Sequence, residues 1–321
     1  MSTRRRLIAV VVLVPLLAAL ALWAFAWPAA RSAPRDLPLG VAGPATATAQ
    51  LEERLGRHEG AFEIHRYADE AAARDAVEDR SVYGAIVVTP EGTELLTASA
   101  ASPVVAQLLQ EQMGRQADAT VDVVPASEHD PRGAALTASV LPLALAGIAA
   151  GAVVTLLGLR GARAAAALVG SAALVGVAAT AVAHSWLEVI GGNWWANAGV
   201  FGLATLAVSA AVAGMAALLG PAGIGITSGL VMLFGNPFSG AASAPEMLPE
   251  PVGAIGQWLP PGAGASALRS TAFFDGAAAT GPALTLTWWA ALGLGAVMLG
   301  ALLKQRKASE PAPERELAEV S

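Results

Sequence analysis

From Phe201 to Gly235 the chain reads FGLATLAVSAAVAGMAALLGPAGIGITSGLVMLFG, and no Asp, Glu, Lys, Arg or His interrupts it or the residues up to Pro245. A helix in water needs a polar face, whereas this stretch offers Ala, Gly, Leu and Val on every side. It belongs in lipid. Proline at 221 cannot continue a helix that starts upstream, so the stretch reads as two apolar spans, 197–219 and 221–238, with a tight turn at Gly220-Pro221. The second is short for a ~30 Å hydrocarbon core, which takes about 20 residues.

Working outward, the charge deficit continues. Between Pro142 and Phe201 the only ionisable side chains are Arg160, Arg163, His184 and Glu188. Spans are expected at 134–158 and 164–186, and a last one at 283–303. At the other end, Leu7–Pro28 follows Arg4, Arg5 and Arg6. Ala24-Phe25-Ala26 imitates a signal-peptide cleavage site, but the apolar run exceeds the about 7–15 residues of a signal-peptide core, so a retained anchor is the better reading. The whole chain of 321 residues is 55% hydrophobic and 14% charged, against roughly a quarter charged in soluble domains.

The charge that exists is concentrated elsewhere. Residues 31–132 hold 17 acidic and 9 basic side chains, which excludes the basic surface that nucleic acid demands. The chain has no cysteine, so disulfides, thiolate metal sites and cysteine nucleophiles are absent. Short apolar runs alternate here with helical stretches. Strands are expected at 37–42, 62–67, 82–88, 94–98 and 120–124. Helices are expected at 44–57, at 69–79 with Asp69 as N-cap, and at 102–116 with Pro103 in the first turn. That pattern predicts a small α/β domain with a mixed sheet.

The expected architecture is a membrane all-α bundle of six transmembrane helices with an inserted extracytoplasmic α/β domain between helices 1 and 2. The parts are an anchor helix (1–30), the α/β domain (31–133), a five-helix bundle (134–307) and a disordered cytoplasmic tail (308–321). Placing both termini in the cytoplasm puts Arg4, Arg5, Arg6, Arg160, Arg163, Lys304, Arg306 and Lys307 on the inner flanks. The outer flanks of the spans then hold only Arg31, Arg35, Arg132 and Arg269, as the positive-inside rule favours. Trp186, Trp194, Trp195, Trp288 and Trp289 fall near span ends and read as interfacial belt residues. Gly147 with Gly151, and Gly225 with Gly229, are spaced for close helix packing.

The segment 236–279 stands apart. Its prolines forbid a continuous helix, yet it carries the apolar runs Val252–Leu259 and Ala263–Phe274. It reads as two short re-entrant helices folded over the outer face of the bundle. A candidate outer gate comprises Pro237, Pro249, Pro260, Pro261 and Arg269; the plain alternative is a surface lid.

Several stretches resemble the ABC-2 type permeases, in particular the phage-infection-protein (YhgE/Pip-like) branch. Leu37-Pro38-Leu39-Gly40-Val41-Ala42 is similar to the first strand of that family's outside domain. Glu70–Asp79 followed by Val82-Tyr83-Gly84-Ala85-Ile86-Val87-Val88 is similar to its helix–strand segment. Asn236-Pro237-Phe238, Glu246-Met247-Leu248-Pro249, Gln257-Trp258-Leu259-Pro260-Pro261 and Leu268-Arg269 resemble its proline-studded connection before the last helix. The resemblance implies a cell-membrane permease, working as a homodimer or heterodimer with a separate ABC ATPase. The family's ATPase docks between the second and third helices, where this chain has only Leu159–Arg163; Arg160 and Arg163 are the candidate partner loop.

Local chemistry agrees with an energy source outside the chain. The only lysines are Lys304 and Lys307, so no P-loop exists. Gly262-Ala263-Gly264 with Ala267 follows two prolines instead of a strand and reads as a chance fingerprint. No catalytic, cofactor or metal set is assigned, and an enzyme is not expected. Ion-driven carriers place charge inside the bundle; here only His184 and Glu188 come near. Four apart, they are expected on one helical face, either as a cation site or as a helix-end pair. The expected cargo is therefore amphipathic or apolar. The alternative function is a non-transporting surface protein whose outside domain binds a ligand, envelope component or phage.

Overall fold

The computed structural model describes residues 3–57, 60–115 and 117–309; the expected tail lies outside the described residues beyond Ser309. Helix α1 (Thr3–Ala30) leads into five strands and three helices: β1 (Leu37–Ala42), α2 (Ala45–Gly56), β2 (Phe62–Tyr67), α3 (Glu70–Glu78), β3 (Gly84–Thr89), β4 (Gly92–Thr97), α4 (Pro103–Met113) and β5 (Ala119–Asp122). The bundle follows as α5 (Ala134–Leu156), α6 (Gly161–Thr180), α7 (Trp194–Leu219), α8 (Pro221–Leu230), α9 (Val252–Gln257), α10 (Pro260–Phe273) and α11 (Thr280–Ser309).

The sheet order is β2-β1-β3-β4-β5, with β3–β4 the antiparallel pair and the other neighbours parallel. The Asp69 carboxylate caps α3 as expected, accepting from Ala72 N at 2.9 Å, and Ser102 Oγ caps α4, accepting from Val105 N at 3.2 Å. The two faces bury separate cores. Leu37, Leu39, Ile86 and Leu95 pack against Leu55 of α2 and Leu109 of α4. Ala85, Val87 and Leu96 pack against Ala73 and Val77 of α3. Neither core is filled by this segment alone. Met247 completes the first and Phe274 the second, so the sheet is clamped onto the 244–274 region from both sides.

Among the described residues five helices are long and apolar enough to cross a membrane: α1, α5, α6 (continuing to Trp186), α7 and α11. The expected span 221–238 is not a sixth. Its helical part, α8 with a π turn at Val231–Gly235, has about 1.5 Å of rise per residue and reaches about 22 Å, short of a ~30 Å core. The reason is the proline-rich continuation, which no helix tolerates.

Helix α7 is the axis on which the bundle is built. Gly147 and Gly151 of α5 face it so closely that a Cβ would stand 2.8 Å from Val208 Cβ and 2.5 Å from Ser209 O. The expected small-residue packing is present there. At Gly225 and Gly229 a Cβ would meet open space, so that second pair serves no helix contact. Helix α11 runs parallel to α7: Leu286 packs with Ala207, Gly293 with Ala210, and Gly300 with Ala217. Parallel neighbours require the chain to return between them. It returns in two pieces. Helix α8 covers the far half of α7, Gly223 against Met215 and Val231 against Val208 and Val212. Helix α10 covers the sheet-bearing half, Gly264 near Ala204 and Thr271 Oγ1 donating to Asn197 Oδ1 at 2.8 Å. The irregular backbone between the halves is satisfied by side chains. Ser239 O accepts from Gln257 Nε2 (2.9 Å); Ala241 O accepts from Thr137 Oγ1 (3.0 Å) and Arg269 Nη2 (2.6 Å). Broken backbone at membrane depth persists only where protein covers it in this way.

Candidate functional site: a cleft with a polar roof

A cavity of about 1390 Å³ lies between the α/β domain, the 245–259 segment, α7 and α11. That exceeds the about 300–1,000 Å³ of ordinary small-molecule pockets. Along α11 it runs from Gly281 to Ala296, about 22 Å at the helical rise. Its lower walls are apolar: Ala211 and Met215 of α7, Leu284, Trp288 and Leu292 of α11. The cleft exists because α8 and α10 leave the α11-facing side of α7 uncovered where the broken return changes helices.

The roof is polar. Helix α3 ends with Ser81 N and Val82 N bonding to Ala76 O, at 2.9 and 3.3 Å, around Arg80 at φ +60°. That left-handed position normally falls to Gly or Asn. Arginine there projects from the domain to α10. Its Nη1 donates to Ser266 O (3.0 Å) and Ser270 Oγ (2.5 Å), and its guanidinium lies 5.2 Å from the Phe274 ring centre. Burial opposes the charged form and lowers the Arg80 pKa, while Tyr83 and Glu246 act in the other direction.

Two further pairs complete the roof. Tyr83, just before β3, donates its hydroxyl to Glu246 Oε2 at 2.8 Å. Burial pushes the Tyr83 phenol above its ordinary pKa, and the Glu246 carboxylate adds to the shift. Ser266 Oγ donates to Gln257 Oε1 at 2.7 Å, tying α10 to α9. Arg269, only 5% exposed, lies on the same wall. At the rim stand Asp36 and Glu250, both exposed, with Arg35 held by the carbonyls of Arg31, Ala33 and Met247.

The structure distributes the sequence candidates unevenly. Arg269 joins the roof. Pro260 and Pro261 open α10, with Pro261 against Gly235 at the end of the α8 half. Pro249 is buried and Pro237 half-buried nearby. Two short helices, α9 and α10, do occupy 252–273. His184 and Glu188 are not on one helical face. A π turn at Ala181–Trp186 ends the helix, and Glu188 takes φ +54° beyond it. Glu188 instead lies 4.0 Å from His129, and its carbonyl accepts from Ser127 Oγ, while His184 Nδ1 is buried without a hydrogen-bond partner among the described residues. Arg160 and Arg163 are exposed at the opposite end of the bundle, where Arg160 and Lys304 line a small cavity of about 90 Å³. Of the five tryptophans expected at span ends, Trp186, Trp195 and Trp288 are largely exposed, and Trp289 Nε1 donates to Trp258 O at 2.8 Å.

Arg80, Tyr83 and Glu246 carry the roof and were not singled out by spacing or charge pattern. One signal did exist. Two separate stretches resembling the permease family contain Tyr83 and Glu246, and the hydrogen bond joins them.

Residues 5–127 match the family profile described as ABC-2 family transporter protein. The match covers α1 and nearly all of the α/β domain, under half of the chain. No curated protein and no solved structure matches the chain. The five long apolar helices fit a multi-pass membrane protein, and the matched segment is similar to ABC-2 family transporters.

Proposed function

We propose that this chain is the membrane subunit of an ABC-2 type exporter. It takes an amphipathic or apolar cargo into the cleft beside α7 and α11 and depends on a separate ATPase for energy. The observation that carries the reading is the cleft itself: apolar walls at bundle depth, closed by a polar roof to which the family-matched segment contributes Arg80 and Tyr83. In the proposed topology the α/β domain is extracytoplasmic and both termini are cytoplasmic. The broken return through α8 and α10 takes the place of a sixth continuous span, keeping the number of crossings even. The parallel arrangement of α7 and α11 supports this count, and the clustering of Arg160, Arg163 and Lys304 at the far end supports an inner face there. The phage-infection-protein branch is the finer assignment that the paired motifs around Tyr83 and Glu246 favour.

The test is co-purification: the solubilised full-length protein, affinity-captured from its native membrane, retains a nucleotide-binding subunit. Capture of the intact chain with none attached, under conditions that preserve a known exporter complex, rejects the reading. A second reading, a surface protein that transports nothing, draws on the brief Leu157–Arg160 connection, which offers an ATPase little surface. It predicts that deleting the α/β domain abolishes adsorption of a ligand or phage while export is unchanged. Reporter fusions within the β3–β4 turn decide the side on which the sheet lies.

A further inference from the structure

The roof contains more cationic donors than the protein uses. A guanidinium has five N–H donors. Arg80 places two of them, both from Nη1, on Ser266 and Ser270; its Nε and Nη2 meet no acceptor among the described residues. Arg269 places only Nη2, on Ala241 O. Neither arginine forms an ion pair among the described residues. The one carboxylate in the inner roof, Glu246, is engaged by Tyr83. Two guanidiniums therefore stand over one carboxylate, half-buried and buried respectively. Buried charge is costly unless an opposite charge or hydrogen bonds meet it. The backbone adds a second indication, because Arg80 occupies a left-handed position that arginine seldom adopts, and such outliers concentrate at ligand sites.

Directly beneath, the lining turns apolar and continues for about four turns of α11, about 22 Å, through Leu284, Trp288 and Leu292. A free inorganic anion would satisfy the roof and leave these walls unused. A neutral hydrocarbon would do the reverse. We infer that the cleft binds an amphiphile with an anionic head group, phosphate or carboxylate in chemistry, held under Arg80 and Arg269, with its apolar chain laid along α11 past Trp288. This deepens the exporter reading by naming the class of cargo, and it rests on that reading only for what happens to the bound molecule.

The experiment uses the full chain in nanodiscs of unlabelled phosphatidylcholine, doped with chain-brominated phosphatidylglycerol or chain-brominated phosphatidylcholine as quencher of tryptophan fluorescence. The expected result is a saturable quenching component with the anionic lipid only, reduced in Trp288→Phe and lost when Trp258 and Trp289, which line the same cleft, are also replaced by Phe. Arg80→Gln should weaken it about ten- to a hundredfold, the scale of a lost charge-assisted hydrogen bond, and Arg80→Lys should restore part of it. Arg80 also ties the domain to α10, so Leu284→Glu provides a second variant. It leaves every roof contact in place, sets a like charge beside the path of the chain and should weaken binding without lowering the unfolding temperature. Equal quenching by both lipids at every mole fraction overturns the inference, as does undiminished binding in both variants. Displacement by equimolar inorganic phosphate also overturns it, since the chain would then contribute nothing. No ATPase takes part, so failure here leaves the exporter reading standing, and a missing ATPase partner leaves this binding standing.

Discussion

Gly293 and Gly295 sit two residues apart on α11, and replacing each by alanine should have opposite effects. A Cβ at 293 would lie 2.4 Å from the carbonyl carbon of Ala210 and 2.6 Å from both Ala210 O and Ala211 N, whereas at 295 it meets open space. The atoms in the way are backbone of α7 and cannot rotate aside. Carbon atoms rest about 3.5–4.0 Å apart, so α11 must move away from α7 by roughly 1 Å or more. Insertion of a methyl into packed surroundings costs about 1–3 kcal/mol. Both substitutions gain about 0.5–1 kcal/mol in helix stability, since glycine is disfavoured inside helices. That gain is common to the two and cancels in the comparison. Gly293→Ala should therefore unfold about 1–3 kcal/mol more easily than Gly295→Ala, while Gly295→Ala is at or slightly above the native protein. Unfolding by sodium dodecyl sulfate in mixed micelles, followed by helical circular dichroism, measures the difference. Identical midpoints for the two variants would refute the α7–α11 contact and with it the wall of the cleft.

The same reasoning separates α5 from α8: Gly151→Leu should disrupt the bundle, while Gly229→Leu leaves its unfolding midpoint unchanged within about 0.5 kcal/mol. Asp130 carries the start of α5, its carboxylate accepting from Ala134 N and Ala135 N, both at 2.8 Å. Asp130→Ala should cost about 1–2 kcal/mol and raise amide exchange in the first turn of α5. The chain has two tyrosines, and burial raises the pKa of both above the ordinary 10.0. Absorbance of tyrosinate should thus lag behind that of the unfolded chain as pH passes 10. In that window the native state keeps protons that the unfolded state has released, so stability falls as pH rises. Tyr83→Phe should remove the larger part of the lag, and a native titration coincident with the unfolded one would contradict the Tyr83–Glu246 contact.

The proposed cargo site spans two parts of the chain that lie far apart in sequence. Arg80 and Tyr83 come from the α/β domain, Glu246, Gln257 and Arg269 from the proline-rich segment, and the apolar wall from α7 and α11. Movement of the sheet relative to the bundle would therefore open or close the roof over the cleft. Met247 and Phe274, planted in opposite faces of the domain, are the contacts that hold the sheet on the bundle.

What the sequence by itself determined were features set by neighbours along the chain. Apolar length marks α1, α5, α6, α7 and α11, since crossing lipid is decided by each segment's own composition. Alternation and capping residues mark β1, β2, α3 and α4, because pleat and cap geometry are local. Close packing at Gly147 and Gly151 was legible as spacing, though not its partner α7, and the identical spacing at Gly225 was not distinguishable from it, because only a neighbouring helix decides whether the space is filled. The prolines announced a break after α8, but tertiary structure alone decided that α8 and α10 both lie against α7, that the π turn parts His184 from Glu188, and that Met247 and Phe274 complete the cores of the sheet. It alone brought Arg80 over the apolar wall. Each of these depends on surfaces more than a hundred residues apart, or on backbone that leaves its regular period, and neither is encoded in the local alternation of apolar and polar residues.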